Sequence, residues 1–127
     1  IIIFKMNLSQ IIKTLVSEIK LTEIQAKIFL HVVINGKMNT SKISNDLKIS
    51  LDDATQNSKK LVELGGFIDM PNDEFEAMHP RFTAVNMYRK MCEREQKEFK
   101  KNLNIDNIGV ALEVSYDDAR TKYNKKM

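Results

Sequence analysis

The strongest constraint on the fold of this chain is a four-residue break between two helical patterns. The break, Lys48–Leu51, is followed by the glycine pair Gly65-Gly66 and by two short apolar runs, 67–70 and 75–78, which the sequence PNDE joins. Proline and asparagine are turn formers, so the two runs are predicted to pair as a β-hairpin. The whole segment therefore predicts a helix-turn-helix that places a polar helix beside a hairpin.

Two amphipathic helices are predicted ahead of this unit. Apolar residues recur at helical spacing over residues 7–20, with polar residues between them. Thr22 and Gln25 have the spacing of a capping box, in which each side chain bonds the backbone amide of the other residue. Asn35-Gly36 predicts the end of this second helix, because glycine readily adopts the left-handed backbone of a helix C-terminus.

Two shorter helices flank the break. The first is expected to be capped by Thr40 or Ser41 and to end near Lys48, and the second is expected to begin at Leu51, after the capping residue Ser50. At about 100° per residue, the helix that begins at Leu51 has one face predicted to point inward and one predicted to point outward. The inward residues are Leu51, Ala54, Ser58, Leu61 and Val62, and the outward residues are Asp52, Gln56, Lys59, Lys60 and Glu63.

The region after His79-Pro80 predicts a long helix with a narrow apolar seam. Residues 83–102 contain neither glycine nor proline and are rich in charge. A helix of about twenty residues extends beyond a small domain, so we expect the seam to pair with a second copy of the chain. The alternative is packing against the chain's own first helix. The seam residues are Val85, Tyr88, Cys92, Phe99 and Leu103. A last helix, over residues 107–124, is also predicted, and its role is open.

The sequence argues against export and against a membrane span. No run approaches the roughly 18 apolar residues that a spanning helix needs, and the opening IIIFK is too short for the apolar part of a secretory signal. Cys92 is the only cysteine, so no intrachain disulfide can form. We therefore expect a reducing, cytoplasmic location.

Catalytic and metal-binding patterns are missing from the sequence. His31 and His79 lie 48 residues apart, and neither has acidic residues at ligand spacing around it. A glycine-rich phosphate loop and a nucleophile with a recognisable base are also absent. We expect neither an enzyme nor a cofactor or metal site.

Three segments give the chain a family resemblance. They are LTEIQAKIFLHVV, TSKISNDLKISLDDATQNSKKLVELGGFI and FEAMHPRFTAVNMYR, the last of which passes from a hairpin through a proline into a helix. In this order they resemble the archaeal TrmB-like family of winged-helix transcription regulators, over roughly residues 21–103. The resemblance implies binding of double-stranded DNA by a homodimer that controls transcription. Larger members carry a C-terminal sugar-binding domain, which this sequence is too short to contain, so sugar binding is not implied.

The fold class expected is mainly α with a small β-hairpin. Residues 1–80 are predicted to form a winged helix-turn-helix domain, with the first helix over 7–20 and the wing over 67–78. Residues 81–127 are predicted to hold the long helix and the terminal helix, and to serve dimerisation.

The charge of the predicted DNA-binding region is low. Residues 20–80 carry seven lysines and nine acidic residues, a net charge of −2, whereas residues 81–103 carry seven basic and three acidic residues, a net charge of +4. Lys and Arg contacts to phosphates supply much of the affinity for DNA. Asp73 and Glu74 at the predicted wing tip would meet phosphates with like charge. Affinity per subunit is therefore expected to be modest.

Two interpretations of the exposed helix face remain. In the first, the helix after Ser50 enters a major groove, with Gln56 and Asn57 as candidate base readers because an amide pairs well with adenine. Hydrogen bonds near phosphates would come from Thr40 and Thr55, and charge neutralisation from Lys42, Lys59 and Lys60. In the second, the same face docks another protein of the transcription machinery. An ordinary solvated helix face is the third, functionless alternative.

Overall fold

The computed structural model describes residues 6–125, with side chains up to Thr121, and shows a mainly helical fold with a small antiparallel sheet. The opening residues 1–5, IIIFK, on which the prediction against a secretory signal rests, lie outside the described residues. The described elements are α1 (Leu8–Glu18), α2 (Glu23–Asn35), β1 (Met38–Asn39), α3 (Thr40–Leu47), α4 (Leu51–Glu63), β2 (Ile68–Met70), β3 (Glu74–Glu76), α5 (Pro80–Arg94) and α6 (Leu103–Lys125). This order is compatible with a winged helix.

Side-chain caps fix where the first helices begin. Thr22 and Gln25 form the predicted capping box, with the Gln25 amide donating to Thr22 Oγ1 at 3.2 Å and the Thr22 amide donating to Gln25 Oε1 at 3.0 Å. Asn7 and Gln10 form a second capping box at the start of α1. For α3, the prediction of Thr40 or Ser41 as the cap was wrong. Asn39 is the cap, and its Oδ1 accepts from the Lys42 amide at 2.9 Å.

The sheet has three strands in the order β1-β3-β2, all antiparallel. The predicted hairpin is present with shorter strands than expected, and Met70 pairs with Glu74 across its turn. Asn72 and Asp73 in that turn have φ values of 65° and 58°, the left-handed region that these residue types tolerate. The sequence did not predict β1. Its two residues pair with β3, and Met38 lies opposite Phe75.

The predicted helix over residues 83–102 is shorter than expected and ends at Arg94. After Glu95 the chain turns at Gln96, whose φ is 55°, and the Lys97 amide donates to the Cys92 carbonyl at 2.8 Å. This is the hydrogen-bond pattern of a left-handed helix stop. Glycine usually provides such a stop, so a glutamine at this position gave no sequence signal. The last helix, α6, is the longest, with 23 residues.

The core lies where α6 crosses α2 and α5. Ile105, Ile108 and Leu112 of α6 are at most 2% exposed and join the same apolar cluster as Phe29 of α2 and Met87 of α5. Among the described residues, no helix combines the length and apolarity that crossing a membrane requires. From Ile105 to Tyr116, α6 is packed against the core of the chain.

Candidate nucleic-acid interface

The turn between α3 and α4 is held by the side chains of Ser44 and Ser50. Lys48 ends α3 with a left-handed φ of 56°, and Ser44 Oγ donates to the Ile49 carbonyl at 2.6 Å. Ser50 then caps α4, accepting from the Asp53 amide at 3.0 Å. Since both ends of the turn are bonded, the angle between the two helices is set by local sequence. This turn fixes the direction in which α4 presents its outer face.

The two faces of α4 largely follow the sequence prediction. Ala54, Ser58 and Leu61 are fully buried, and the five residues predicted to point outward are exposed. Leu51 is an exception, because it is 54% exposed in the first turn, beyond the edge of the core. The outer face therefore carries Asp52, Gln56, Lys59, Lys60 and Glu63, and none of these side chains is covered by the described part of the chain.

Gln56 is the exposed amide of this face. Its Nε2 donates to both carboxylate oxygens of Asp52, each at 3.0 Å. Both residues are exposed, so water or a base edge can replace these bonds at little cost. The neighbouring Thr55 is half-buried, and its hydroxyl donates to the Leu51 carbonyl at 2.8 Å within the helix. Of the two, only Gln56 has a side chain directed to solvent.

Asn57 is tied to the protein itself. Its Nδ2 donates to the Asp53 carbonyl at 2.9 Å, and its Oδ1 accepts from Gln25 Nε2 at 3.4 Å. Gln25 is buried and belongs to the capping box of α2. Asn57 thus links α4 to the start of α2. This contact connects two elements distant in sequence, and it accounts for Asn57 without a nucleic acid.

The three candidate lysines are all exposed. Lys60 pairs with Glu63 at 3.2 Å, and Lys42 pairs with Asp46 at 3.2 Å. Lys59 forms no ion pair with any residue that the structure describes. Thr40, by contrast, is only 7% exposed as the first residue of α3, directly after β1. Its hydroxyl is poorly placed to reach a phosphate.

Asp46 joins α3 to α2 through His31. The Nε2 atom of His31 lies 2.8 Å from Asp46 Oδ2, and Lys42 approaches the same oxygen. The hydrogen bond from His31, with a further one from Lys42, lowers the pKa of Asp46 below its ordinary value of 3.8. Asp46 is therefore charged in the folded protein at pH values where it begins to protonate in the unfolded chain.

The lowered pKa of Asp46 predicts a specific loss of stability in acid. A group whose pKa is depressed by folding stabilises the protein above its unfolded pKa, and that contribution is lost as the pH falls through the folded value. We expect Asp46→Asn to remove this contribution, so the difference in melting temperature between variant and wild type should shrink below pH 3.8. Thermal unfolding of both proteins from pH 3 to pH 7 measures this difference in melting temperature. A difference that grows towards low pH would contradict the assignment.

The hairpin beside α4 is acidic. Asp69 and Asp73 are exposed, and Glu74 is half-buried at the start of β3. Glu76 is bonded to Arg120, so its charge is compensated within the protein. The turn of the hairpin therefore presents negative charge to solvent, which opposes contact with a phosphate backbone unless this turn points away from DNA.

The residues predicted to form a dimer seam separate into two groups. Cys92 is 2% exposed, and Val85 and Tyr88 are half-buried against the apolar core. Phe99 and Leu103 are 49% and 66% exposed. Tyr88 and Phe99 contact each other within one chain, with ring centroids 5.9 Å apart. The seam is broken because α5 ends at Arg94, before the last two residues.

One cluster among the described side chains has the spacing of metal ligands. Atoms of His79, Glu113 and Asp117 lie within 4.8 Å of one another. The hydrogen bonds argue against a metal there, because His79 Nδ1 accepts from the Arg81 amide at 3.2 Å and the ring proton then belongs to Nε2. The Arg81 guanidinium also donates to Glu113 at 2.9 Å. The cluster has the contacts of an ion-pair network.

Arg120 is a central residue that the sequence analysis missed. Its guanidinium donates to the carbonyls of Val33 at 2.8 Å and Ala77 at 3.1 Å, and it also bonds Glu76. The guanidinium carbon lies 3.7 Å from the centre of the Tyr116 ring. Through these bonds α6 holds the end of α2 and the hairpin together. A single arginine late in a helix gives no sequence signal of such contacts.

No protein-family model, curated protein or solved structure matches this chain.

Proposed function

We propose that residues 21–80 form a winged helix-turn-helix that binds double-stranded DNA in transcription control, and that the protein acts as a homodimer. The observation that carries the proposal is the outer face of α4, which is exposed beside a hairpin and presents Gln56, Lys59 and Lys60. An α-helix of this size fits a major groove, and an amide there can bond an adenine edge. The TrmB-like resemblance supports the same function.

The contacts described above narrow the set of DNA-binding candidates. Gln56 is proposed as the base reader, and Lys42, Lys59 and Lys60 as the phosphate contacts, because all four are exposed. Thr40, Thr55 and Asn57 are proposed to stabilise the helices that carry this face, since each is buried or bonded within the protein. Three lysines per subunit supply limited charge, which makes dimerisation important for affinity.

The salt dependence of binding tests the proposal. Six phosphate contacts in a dimer predict a slope of about −5 in a plot of log K against log salt, and three contacts in a monomer predict about −3. Fluorescence anisotropy with random duplex DNA, between about 50 and 200 mM salt, should show the affinity falling by about a thousandfold for a dimer. An absence of saturable binding at the lower salt would refute DNA binding.

A double variant tests the proposed face. Gln56→Ala with Lys60→Ala should weaken DNA binding by at least about tenfold, since each contact is worth about 1 kcal/mol or more. Lys100→Ala is the matched control, because it removes an exposed lysine from the connector between α5 and α6 and should leave binding unchanged. Unchanged binding by the double variant, with a normal circular dichroism spectrum, would assign binding to another surface.

The acidic hairpin favours one second candidate, in which the module docks a basic segment of another transcription protein. Asp69 and Asp73 are exposed, and Asp52 and Asp53 lie at the N-terminal end of α4. These four carboxylates would repel phosphates but would attract lysine and arginine side chains. The same titration separates the two functions, because a protein-docking module should bind random DNA weakly at both salt concentrations.

A further inference from the structure

The outer side of α6 carries an apolar stripe that the described residues leave exposed. Leu103, Val110 and Val114 are 66%, 47% and 69% exposed, and at about 100° per residue they share one side of the helix. The opposite side holds the buried residues Ile105, Ile108 and Leu112. The helix therefore has two apolar faces, although the described part of the chain covers only one. A helix exposed to water on its outer side would ordinarily be polar there.

A second apolar surface that the described residues leave uncovered lies between α1 and α2. Here a groove of about 570 Å³ is lined by Ile12 and Val16 from α1, together with Ser9, Lys13, Glu23 and Lys27. It meets a second groove of about 410 Å³, which shares Glu23 and Lys27 and is lined by Ile24, Leu47 and Ile49. None of the described α6 residues lines either groove. We call the first of these the α1–α2 groove.

The edges of these two surfaces carry opposite charge. Asp117 and Asp118 are exposed on α6 next to the apolar stripe. Lys13 and Lys27 are exposed at the edge of the α1–α2 groove, where Lys27 also pairs with Glu23 at 3.1 Å. An amphipathic helix that lays its apolar side into a groove with oppositely charged edges is a common mode of recognition. The charges at the edges of the two surfaces are thus complementary.

We propose that α6 of a second copy of this chain lies in the α1–α2 groove, and that the contact is made twice across a twofold axis. Such a reciprocal contact closes the assembly at two subunits, whereas a single head-to-tail contact would continue into a filament. The proposal rests on the homodimer of the proposed function and identifies the surfaces that form it. Leu103 is the one residue of the sequence-predicted seam that belongs to this contact.

Two single substitutions test the contact. Val114→Lys places a cation on α6, where it would face Lys13 and Lys27, and Val16→Glu places an anion in the groove, where it would face Asp117 and Asp118. Both side chains are exposed in the subunit, at 69% and 36%, so neither change should unfold it. Each is expected to weaken dimerisation about 30-fold, as measured by sedimentation velocity.

A mixture of the two variants provides the sharper test. In a reciprocal dimer of one Val16→Glu subunit and one Val114→Lys subunit, one contact joins glutamate to lysine and the other is unchanged. Each variant alone should therefore dimerise about 30-fold more weakly than the wild type, whereas the mixture should form a heterodimer at the same concentration. Ile68→Lys, an exposed aliphatic residue of β2 at 40%, is the control and should remain dimeric. Circular dichroism confirms that every variant is folded.

Other results would overturn the inference. A wild-type protein that stays monomeric at high concentration would refute it, and so would a Val16→Glu variant that dimerises normally, because the groove would then not be used. These measurements contain no DNA, so their outcome does not depend on whether the protein binds DNA. A dimer that binds no DNA would refute the function and leave this contact standing. A monomer that binds DNA would refute this contact together with the proposed homodimer, and would leave the proposed DNA binding standing.

Discussion

Replacing Gly109 with alanine is expected to lower the free energy of unfolding by about 2 kcal/mol, and the melting temperature by about 8 °C. Gly109 lies inside α6, where alanine would ordinarily be favoured by about 1 kcal/mol. A Cβ atom at this position would stand 2.6 Å from the Cα atom and 3.1 Å from the backbone nitrogen of Arg81. Because these atoms belong to the backbone, no side-chain rotation relieves the clash, and α5 and α6 would have to separate.

A matched change on the same helix separates packing from helix propensity. Asn107→Ala, at a half-buried position of α6, should keep or slightly raise the melting temperature, since alanine has the higher helix propensity. Thermal unfolding followed by circular dichroism measures both variants. If Gly109→Ala were as stable as Asn107→Ala, the close approach of α5 and α6 at Arg81 would be refuted.

Replacing Arg120 with methionine is expected to cost about 3 kcal/mol of stability, or a fall of about 12 °C in melting temperature. Methionine keeps much of the side-chain volume but leaves the carbonyls of Val33 and Ala77 without the guanidinium donor. The Glu76 carboxylate loses its cationic partner and keeps only the hydrogen bond from the Ala77 amide, at 2.9 Å. The side chains of Arg120 and Glu76 are only 20% and 25% exposed, so water compensates poorly. The stacking of Arg120 on Tyr116 is also lost.

An exposed arginine of α5 provides the control. Arg81 pairs with Glu113 at 2.9 Å, but its side chain is 57% exposed, so Arg81→Met should cost less than about 1 kcal/mol. Amide hydrogen exchange should in addition show faster exchange in β3 for Arg120→Met, because Arg120 joins this strand to α6. Equal stability of the two variants would show that Arg120 does not hold the hairpin.

Local sequence signals predicted the local elements well. The capping box of Thr22 and Gln25 gave the start of α2, and Ser50 gave the start of α4. The two short apolar runs on either side of PNDE predicted the hairpin. Within PNDE, Asn72 and Asp73 are suited to the left-handed backbone found in its turn. Each of these signals acts within about four residues, which is the distance over which sequence alone is informative.

Errors occurred where a residue departs from the usual signal. Gln96 ends a helix with a left-handed backbone that glycine usually provides, so the helix was predicted to continue through residue 102. The two-residue strand β1 is too short to show an alternating pattern, and it is formed only because β3 lies beside it. For the candidate site, the exposed residues of α4 followed from helical spacing, but the buried setting of Thr40 and the bond between Asn57 and Gln25 did not.

By itself the sequence determined the order of the helices and the hairpin, the caps of α2 and α4, and the polar outer face of α4, since these depend on neighbours within a turn or two. Only the tertiary structure decided which apolar stripes are covered. It brought Gly109 against Arg81, joined Arg120 to two distant segments, and left Val110 and Val114 exposed. Helical spacing gives the direction of a side chain from its own axis, whereas burial depends on which other element lies in that direction.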